Sequence, residues 1–227
     1  MTWVSAALFD CRVGRLTARA GRVEPDLVIA GCWNGFELAT RAILGQQITV
    51  RAATSLAGRI VKALGRVFPG TGSLTHLFPA PEILADADLT GIGLPRARRE
   101  TIRALARAVC DGRIRFEGIV ESTSFLQSLT EIPGIGKWTA QYVAMRALGE
   151  PDAFPVGDAA LRTALSLTNA AELELRAEAW RPWRAYATMY VWKTATQAKV
   201  QGEKRTPPKR KRVPIEDIGQ PLTMLNA

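Results

Sequence analysis

Phe36, Leu38, Ala39, Ala42, Ile43 and Gln46 follow one another at helical spacing, and Asn34 is placed to cap a helix beginning at Gly35. A second helix begins near Thr49, carries Ala52, Leu56, Ile60 and Leu64, and ends at Gly65. Residues 66–80, RVFPGTGSLTHLFPA, are rich in turn formers and read as a loop. Pro81 suits the first position of a short helix, PEILADA. The Gly91-Ile92-Gly93 turn leads into a longer helix, and Ser122 or Thr123 caps FLQSLTEI. Lys137 to Leu148 forms the next helix, closed by Gly149, and Asp158 opens AALRTALSL after an extended connection over 151–157. The last helical pair, ELELRAEAW and RPWRAYATMYVWKTATQAK, is split at Pro182, with Trp180 and Trp183 assigned to the core. This pattern predicts helices throughout 31–198. Residues 1–30 lack a clear period and read as a partly ordered lead-in, and the polar, basic stretch 199–227 reads as a disordered tail.

A chain of 227 residues suits one domain, or one domain of two lobes. No apolar run approaches the roughly 18–20 residues of a membrane span. The first residues also lack a basic start followed by an apolar core, so the expected location is cytosolic. The formal net charge of +9 and a pI near 10 suggest a polyanionic partner, most simply nucleic acid. The tail carries +4 of that charge, so the body is only moderately basic. Its PPKRKRV string suits a nuclear import signal and a phosphate-binding tail equally. Cys11, Cys32 and Cys110 are scattered and His76 stands alone, so no metal centre is expected.

The candidate chemistry lies in LTEIPGIGKWTAQYVAMRALGEPDAFPVGDAALR, from Leu129 to Arg162. Pro133 stops one helix, Gly134 and Gly136 allow a tight turn, and Lys137 starts the next helix. Such a hairpin is expected to turn the N–H groups of Gly134, Ile135 and Gly136 outward at a helix N-terminus, where a phosphate is favoured. A bare GxG is equally an ordinary helix–turn–helix corner, and an Asp at a helix start is usually a simple cap worth about 1 kcal/mol. Around them, Trp138 and Tyr142 share one helix face, and Arg96, Arg98 and Arg99 follow an echo of the hairpin at 89–93. Those arginines serve either as a backbone contact or as the solvent face of a packed helix.

Hairpin and aspartate together resemble the helix-hairpin-helix DNA glycosylase superfamily, whose pattern is PGhG followed at this distance by a catalytic aspartate. PGIGKWTAQY, FPVGDAALR, the upstream RAILGQQITVRAA and the downstream WRPWRAYATMYVW are similar to the AlkA type, the 3-methyladenine DNA glycosylase II branch. The resemblance runs from about Trp33 to about Thr196 and implies an all-α, two-lobed fold whose lobes meet at a cleft near 150–158. The separate N-terminal mixed α/β domain of fuller members is expected to be lacking.

It further implies Asp158 as catalytic carboxylate, Trp138, Tyr142 and Trp192 as the base pocket, and Gln47 as the plug that enters the minor groove. Gly134, Ile135, Gly136, Lys137 and Thr139 would bind the DNA backbone. The implied activity is excision of N-alkylated purines from damaged double-stranded DNA by a monomer, in the nucleoid of a bacterium or the nucleus of a eukaryote. No iron–sulfur cluster is expected from three scattered cysteines, and a monovalent cation at the hairpin is the one accessory left open. Bifunctional members use a lysine two residues after the last hairpin glycine. Here that position is Trp138, and Lys137 is offset by about 100° of helix, which implies a monofunctional hydrolase. A glycosylase for a different damaged purine, such as hypoxanthine or an oxidised purine, is the alternative within the enzyme class, and a helix-hairpin-helix module that only binds DNA is the alternative of a different class.

Overall fold

In the computed structural model, which describes residues 28–69 and 75–204, several helices start where a side chain reaches back to an orphan N–H group. Asn34 accepts the Glu37 N–H at 2.8 Å and opens α1, Gly35–Leu44. Thr49 does the same for Ala52 and opens α2, Val50–Leu64. There follow α3 (Pro81–Asp86), a 3-10 turn (Thr90–Ile92), α4 (Arg96–Cys110), α5 (Ser122–Thr130) and α6 (Lys137–Val143). A π-helical turn, Ala144–Leu148, extends α6 before α7 (Ala159–Ala164), α8 (Ala170–Glu178) and α9 (Arg184–Lys204). The lead-in over 1–27 and the tail from 205 lie outside the described residues, as does Cys11.

The described residues are all-α apart from one minimal ladder, and they form two cores. α1 is the hub of the first, burying Phe36, Ile43 and Leu44 against α2, α4, α6 and the π-helical turn. The second core gathers Phe154, Leu161, Leu173, Trp180, Tyr190 and Val191 from α7, α8, α9, the connection before α7 and the turn between α8 and α9. Trp192 packs against both.

The connection between the lobes is held at several points. Phe154 N–H donates to Gln141 Oε1 at 2.8 Å, and Ala185 N–H donates to Pro151 O at 3.0 Å. The Arg184 guanidinium grips both Asp152 carboxylate oxygens at 2.8 and 2.9 Å. Such a planar fork fixes geometry as well as charge.

Several local expectations change. The stretch 66–80 is not all loop: β1 (Arg66–Val67) pairs antiparallel with β2 (His76–Leu77). Gly65 permits it, because a Cβ there would lie 2.4 Å from Val61 O and 2.6 Å from Leu77 O. α7 is shorter than predicted. Ser166 adopts φ 55°, Leu167 N–H returns to Arg162 O at 2.9 Å, and Ser166 N–H returns to Thr163 O at 3.2 Å, a Schellman stop without glycine. α9 runs to Lys204, so 199–204, assigned to the tail, are helical. Ala198, Lys199, Gln201 and Lys204 are good helix formers, and extending an existing helix needs no new nucleus. Trp180 is buried as expected, whereas Trp183 is only half-buried, with its ring edge-on to Tyr186 at 5.8 Å.

Neither Ser122 nor Thr123 caps α5. Glu121 does, accepting from Thr123 N–H at 2.8 Å and Ser124 N–H at 2.6 Å, because its longer side chain spans both orphan donors. The Ser124 N–H bond, then the Thr123 one, holds this carboxyl down to about 2 from an ordinary 4.5. A depressed carboxyl stabilises the fold above its unfolded value, and that stabilisation is lost as pH falls through the folded value. Glu121→Gln is therefore expected to unfold at a lower temperature than wild type at pH 7. The gap should close between pH 4.5 and about 2 in thermal melts followed by circular dichroism.

Candidate active site

Ile132 and Ile135, both buried, anchor the hairpin from below. Pro133 ends the approach from α5, and Gly134 turns the chain with φ 92°, a region that L side chains rarely adopt. Gly134 also presses on α4: a Cβ there would sit 2.2 Å from Thr101 Oγ1, the hydroxyl that donates to Pro133 O at 2.8 Å. Of the three N–H groups expected to face outward, that of Ile135 turns back to Ile132 O at 3.0 Å. It is satisfied within the turn. Those of Gly134 and Gly136 have no acceptor among the described residues, and Gly136 caps α6 without a side-chain bond. Lys137 is exposed beside them. These donors, the first turn of α6 and the lysine charge make a surface suited to an anion.

Thr139, expected in that surface, is buried, and its hydroxyl oxygen accepts from Gln46 Nε2 at 3.1 Å. Gln46 Nε2 also donates to Gly134 O at 2.9 Å. Gln46 continues the helical spacing of α1, but nothing in the local pattern pointed to its bonds with the hairpin. Gln47 is exposed at the elbow between α1 and α2 with φ 58°. Of the arginines in the echoing motif, Arg98 donates to Gln46 O at 2.7 Å, and Arg96 pairs with Glu100 on the solvent face.

Asp158 is brought against the aromatic residues. Its carboxylate is buried and accepts three N–H groups: Leu161 N–H on Oδ1 at 2.8 Å, Trp192 Nε1–H on Oδ1 at 3.2 Å, and Trp138 Nε1–H on Oδ2 at 3.0 Å. It is a helix cap, as its position suggests, but the indoles make it more than that. Trp138 and Tyr142 stack with centroids 5.3 Å apart and planes within 6°, and Trp192 tilts 51° to Tyr142 at 6.4 Å. Arg146, one turn further along, places its guanidinium carbon 5.9 Å from the Tyr142 centroid. Sequence reasoning missed this cation, although Trp138, Tyr142 and Arg146 recur every fourth residue. A buried carboxylate beside an aromatic wall can stabilise positive charge that develops next to it.

A family model described as HhH-GPD superfamily base excision DNA repair protein matches residues 40–185, which span the elbow, the hairpin and Asp158. The chain belongs to this superfamily. Its curated relatives include a probable bifunctional transcriptional activator/DNA repair enzyme AlkA from Mycobacterium tuberculosis, 42% identical over 163 residues. That match covers 70% of this chain and 33% of the relative, so the chain spans about a third of that protein's length. DNA-3-methyladenine glycosylase 2 of Escherichia coli is 35% identical over 82% of this chain and 69% of its own. Among solved structures, a DNA-3-methyladenine glycosidase from Bacillus halodurans superposes with a TM-score of 0.65 at 29% identity. That superposition covers 88% of this chain and 94% of the other. As an HhH-GPD member the chain has the helical fold of these neighbours. No helix among the described residues is long and apolar enough to cross a membrane, and no cluster there of three or more His, Cys, Asp or Glu could hold a metal.

The hairpin of this HhH-GPD chain yields a stability test. Gly134→Ala adds both a strained φ and a clash with Thr101, so it should destabilise the protein by about 1–3 kcal/mol in calorimetric unfolding. Adding Thr101→Ala should recover part of that loss and leave the backbone strain.

Proposed function

We propose that this chain is a monofunctional DNA glycosylase that excises N-alkylated purines, such as 3-methyladenine and 7-methylguanine, from duplex DNA and so starts base excision repair. The observation that carries the reading is the buried Asp158 carboxylate, fixed by Trp138 and Trp192 beside the aromatic wall. The names of the Escherichia coli and Bacillus halodurans relatives support the same substrate class.

The damaged nucleotide is extruded from the stack into the pocket, since its glycosidic bond is out of reach inside a duplex. The Gly134 and Gly136 amides and Lys137 hold the phosphate backbone without reading sequence, and Gln47 fills the gap. As the C1′–N bond breaks, its electron pair leaves with the base and positive charge grows on the deoxyribose. Asp158 stabilises that charge, orients the water whose oxygen then bonds C1′, and takes the proton that this water gives up as the bond forms. An alkylated purine is already cationic, so it departs neutral without an acid catalyst. Its charge is attracted to the electron-rich rings by up to about 2 kcal/mol or more when desolvated. Because Arg146 already lies over Tyr142, that attraction falls mainly to Trp138 and Trp192. Lys137 lies beside the hairpin rather than in the aromatic wall, so the product is an abasic site with the strand intact. The chemistry draws on no metal, the enzyme works as a monomer, and its place is wherever genomic DNA lies.

Asp158→Asn is expected to lower release of 3-methyladenine and 7-methylguanine from methylated duplex DNA by at least about 100-fold, while duplex binding is retained. Wild type treated with borohydride on the same substrate should trap no covalent adduct. Undiminished release by the variant would overturn the role given to Asp158, and a trapped adduct would overturn the monofunctional reading.

A further inference from the structure

We infer that Gln46 is a positioning residue: it locks the elbow that presents Gln47 to the phosphate-binding hairpin, so that plug and anchor engage a duplex as one rigid unit. The inference rests on the reading above. Gln46 is held from three directions by segments distant in sequence. Its side-chain amide donates to Gly134 O at 2.9 Å and to Thr139 Oγ1 at 3.1 Å, and Arg98 Nη2 donates to its main-chain oxygen at 2.7 Å. The hairpin lies 88 to 93 residues further along the chain and Arg98 lies 52.

The next residue shows what this grip maintains. Gln47 is exposed and left-handed, with φ 58°. A non-glycine residue in that region costs on the order of 1–3 kcal/mol and persists only when its surroundings over-determine it. Gln46 supplies that determination on the N-terminal side, and the Thr49 cap of α2 supplies it on the other. The elbow therefore projects Gln47, and behind it the exposed Ile48 and Val50, at a set distance from Gly134 and Gly136. A duplex anchored by its phosphates on those amides meets the elbow at a fixed height. That is what insertion into a base-sized gap requires, because a misplacement of about 1 Å can cost two orders of magnitude in rate.

An amide fits the place. It must donate to two acceptors, and a carboxylate of the same shape would face Gly134 O with no hydrogen to offer.

The test is a double-mutant cycle of wild type, Gln46→Met, Gln47→Ala and the double variant, with Gln46→Glu as a second probe of the same contact. Each protein is measured for affinity to undamaged duplex, for single-turnover excision of 7-methylguanine, and for opening of a duplex carrying a tetrahydrofuran site opposite 2-aminopurine, read by fluorescence. Gln46→Met should lower excision and opening about tenfold while undamaged-duplex affinity holds, and should have no further effect once Gln47 is alanine. Gln46→Glu should follow the same pattern. Additive losses in the cycle, or a fall in undamaged-duplex affinity that parallels excision, would overturn the inference, since Gln46 would then merely support the hairpin. If wild type opens the duplex but releases no base, the lesion reading fails while the fluorescence cycle still decides the role of Gln46. If wild type does neither, both fail.

Discussion

The carboxylate of Asp158 is where the two lobes meet. Burying an unpaired carboxylate is costly, so the site exists only because three N–H donors surround it. Hydrogen bonds to a charged group contribute roughly 1.5–3 kcal/mol each. The donors come from different parts of the fold: Leu161 from α7 itself, Trp138 from α6 against the first core, and Trp192 from α9, which touches both cores. The tethers on the preceding connection, at Phe154, Pro151 and Asp152, bring the carboxylate to its donors. Shifting any one of these helices would strand a buried charge or an indole N–H.

The hairpin and the elbow form a second assembly, and α4 stands behind both. Thr101 holds Pro133 O, Arg98 holds Gln46 O, and Gln46 closes the circuit to Gly134 and Thr139. The basic residues after Gly93, which suggested a surface for an anion, are thus partly internal fasteners. Of Arg96, Arg98 and Arg99, it is Arg96 that shows the solvent-facing pairing of an ordinary helix surface. Net charge at this face is a poor guide to what touches a partner, since Arg98 is already engaged by main chain.

Features decided within a few residues could be read from the sequence. The caps at Asn34 and Thr49, Pro81 at the start of α3 and Gly149 after the π-helical turn stand where the pattern puts them, because cap and helix are adjacent. Asp158 was legible through its place before a helix and its spacing from the hairpin. The indole bonds that make it a site were not, because Trp138 and Trp192 reach it across 20 and 34 residues. Gln46 is the clearest case: it and Gln47 are identical in sequence, and only tertiary contact divides them into a fastener and an exposed tip. Glu121 outcompeted two good cap formers by side-chain length, a choice that composition alone does not weigh. Trp180 and Trp183 looked alike as core aromatics and differ in burial because one faces Phe154 and the other Tyr186.

The donor arrangement also limits what Asp158 can do in the proposed reaction. A carboxylate offers about four acceptor sites. Oδ1 spends two of its own, on Leu161 and Trp192, and Oδ2 spends one on Trp138, which leaves a single site on Oδ2. One site suffices to hold one water, and the remaining charge is directed by fixed dipoles rather than by mobile solvent. A carboxylate so held is poorly placed to swing towards C1′ as a nucleophile, because forming that bond would break contacts to both lobes at once. It is well placed to stay still while positive charge grows beside it, which is the condition under which preorganised electrostatics lowers a barrier most. The same bonds that hold the two lobes together therefore favour an electrostatic role, with water rather than the enzyme forming the new bond to the sugar.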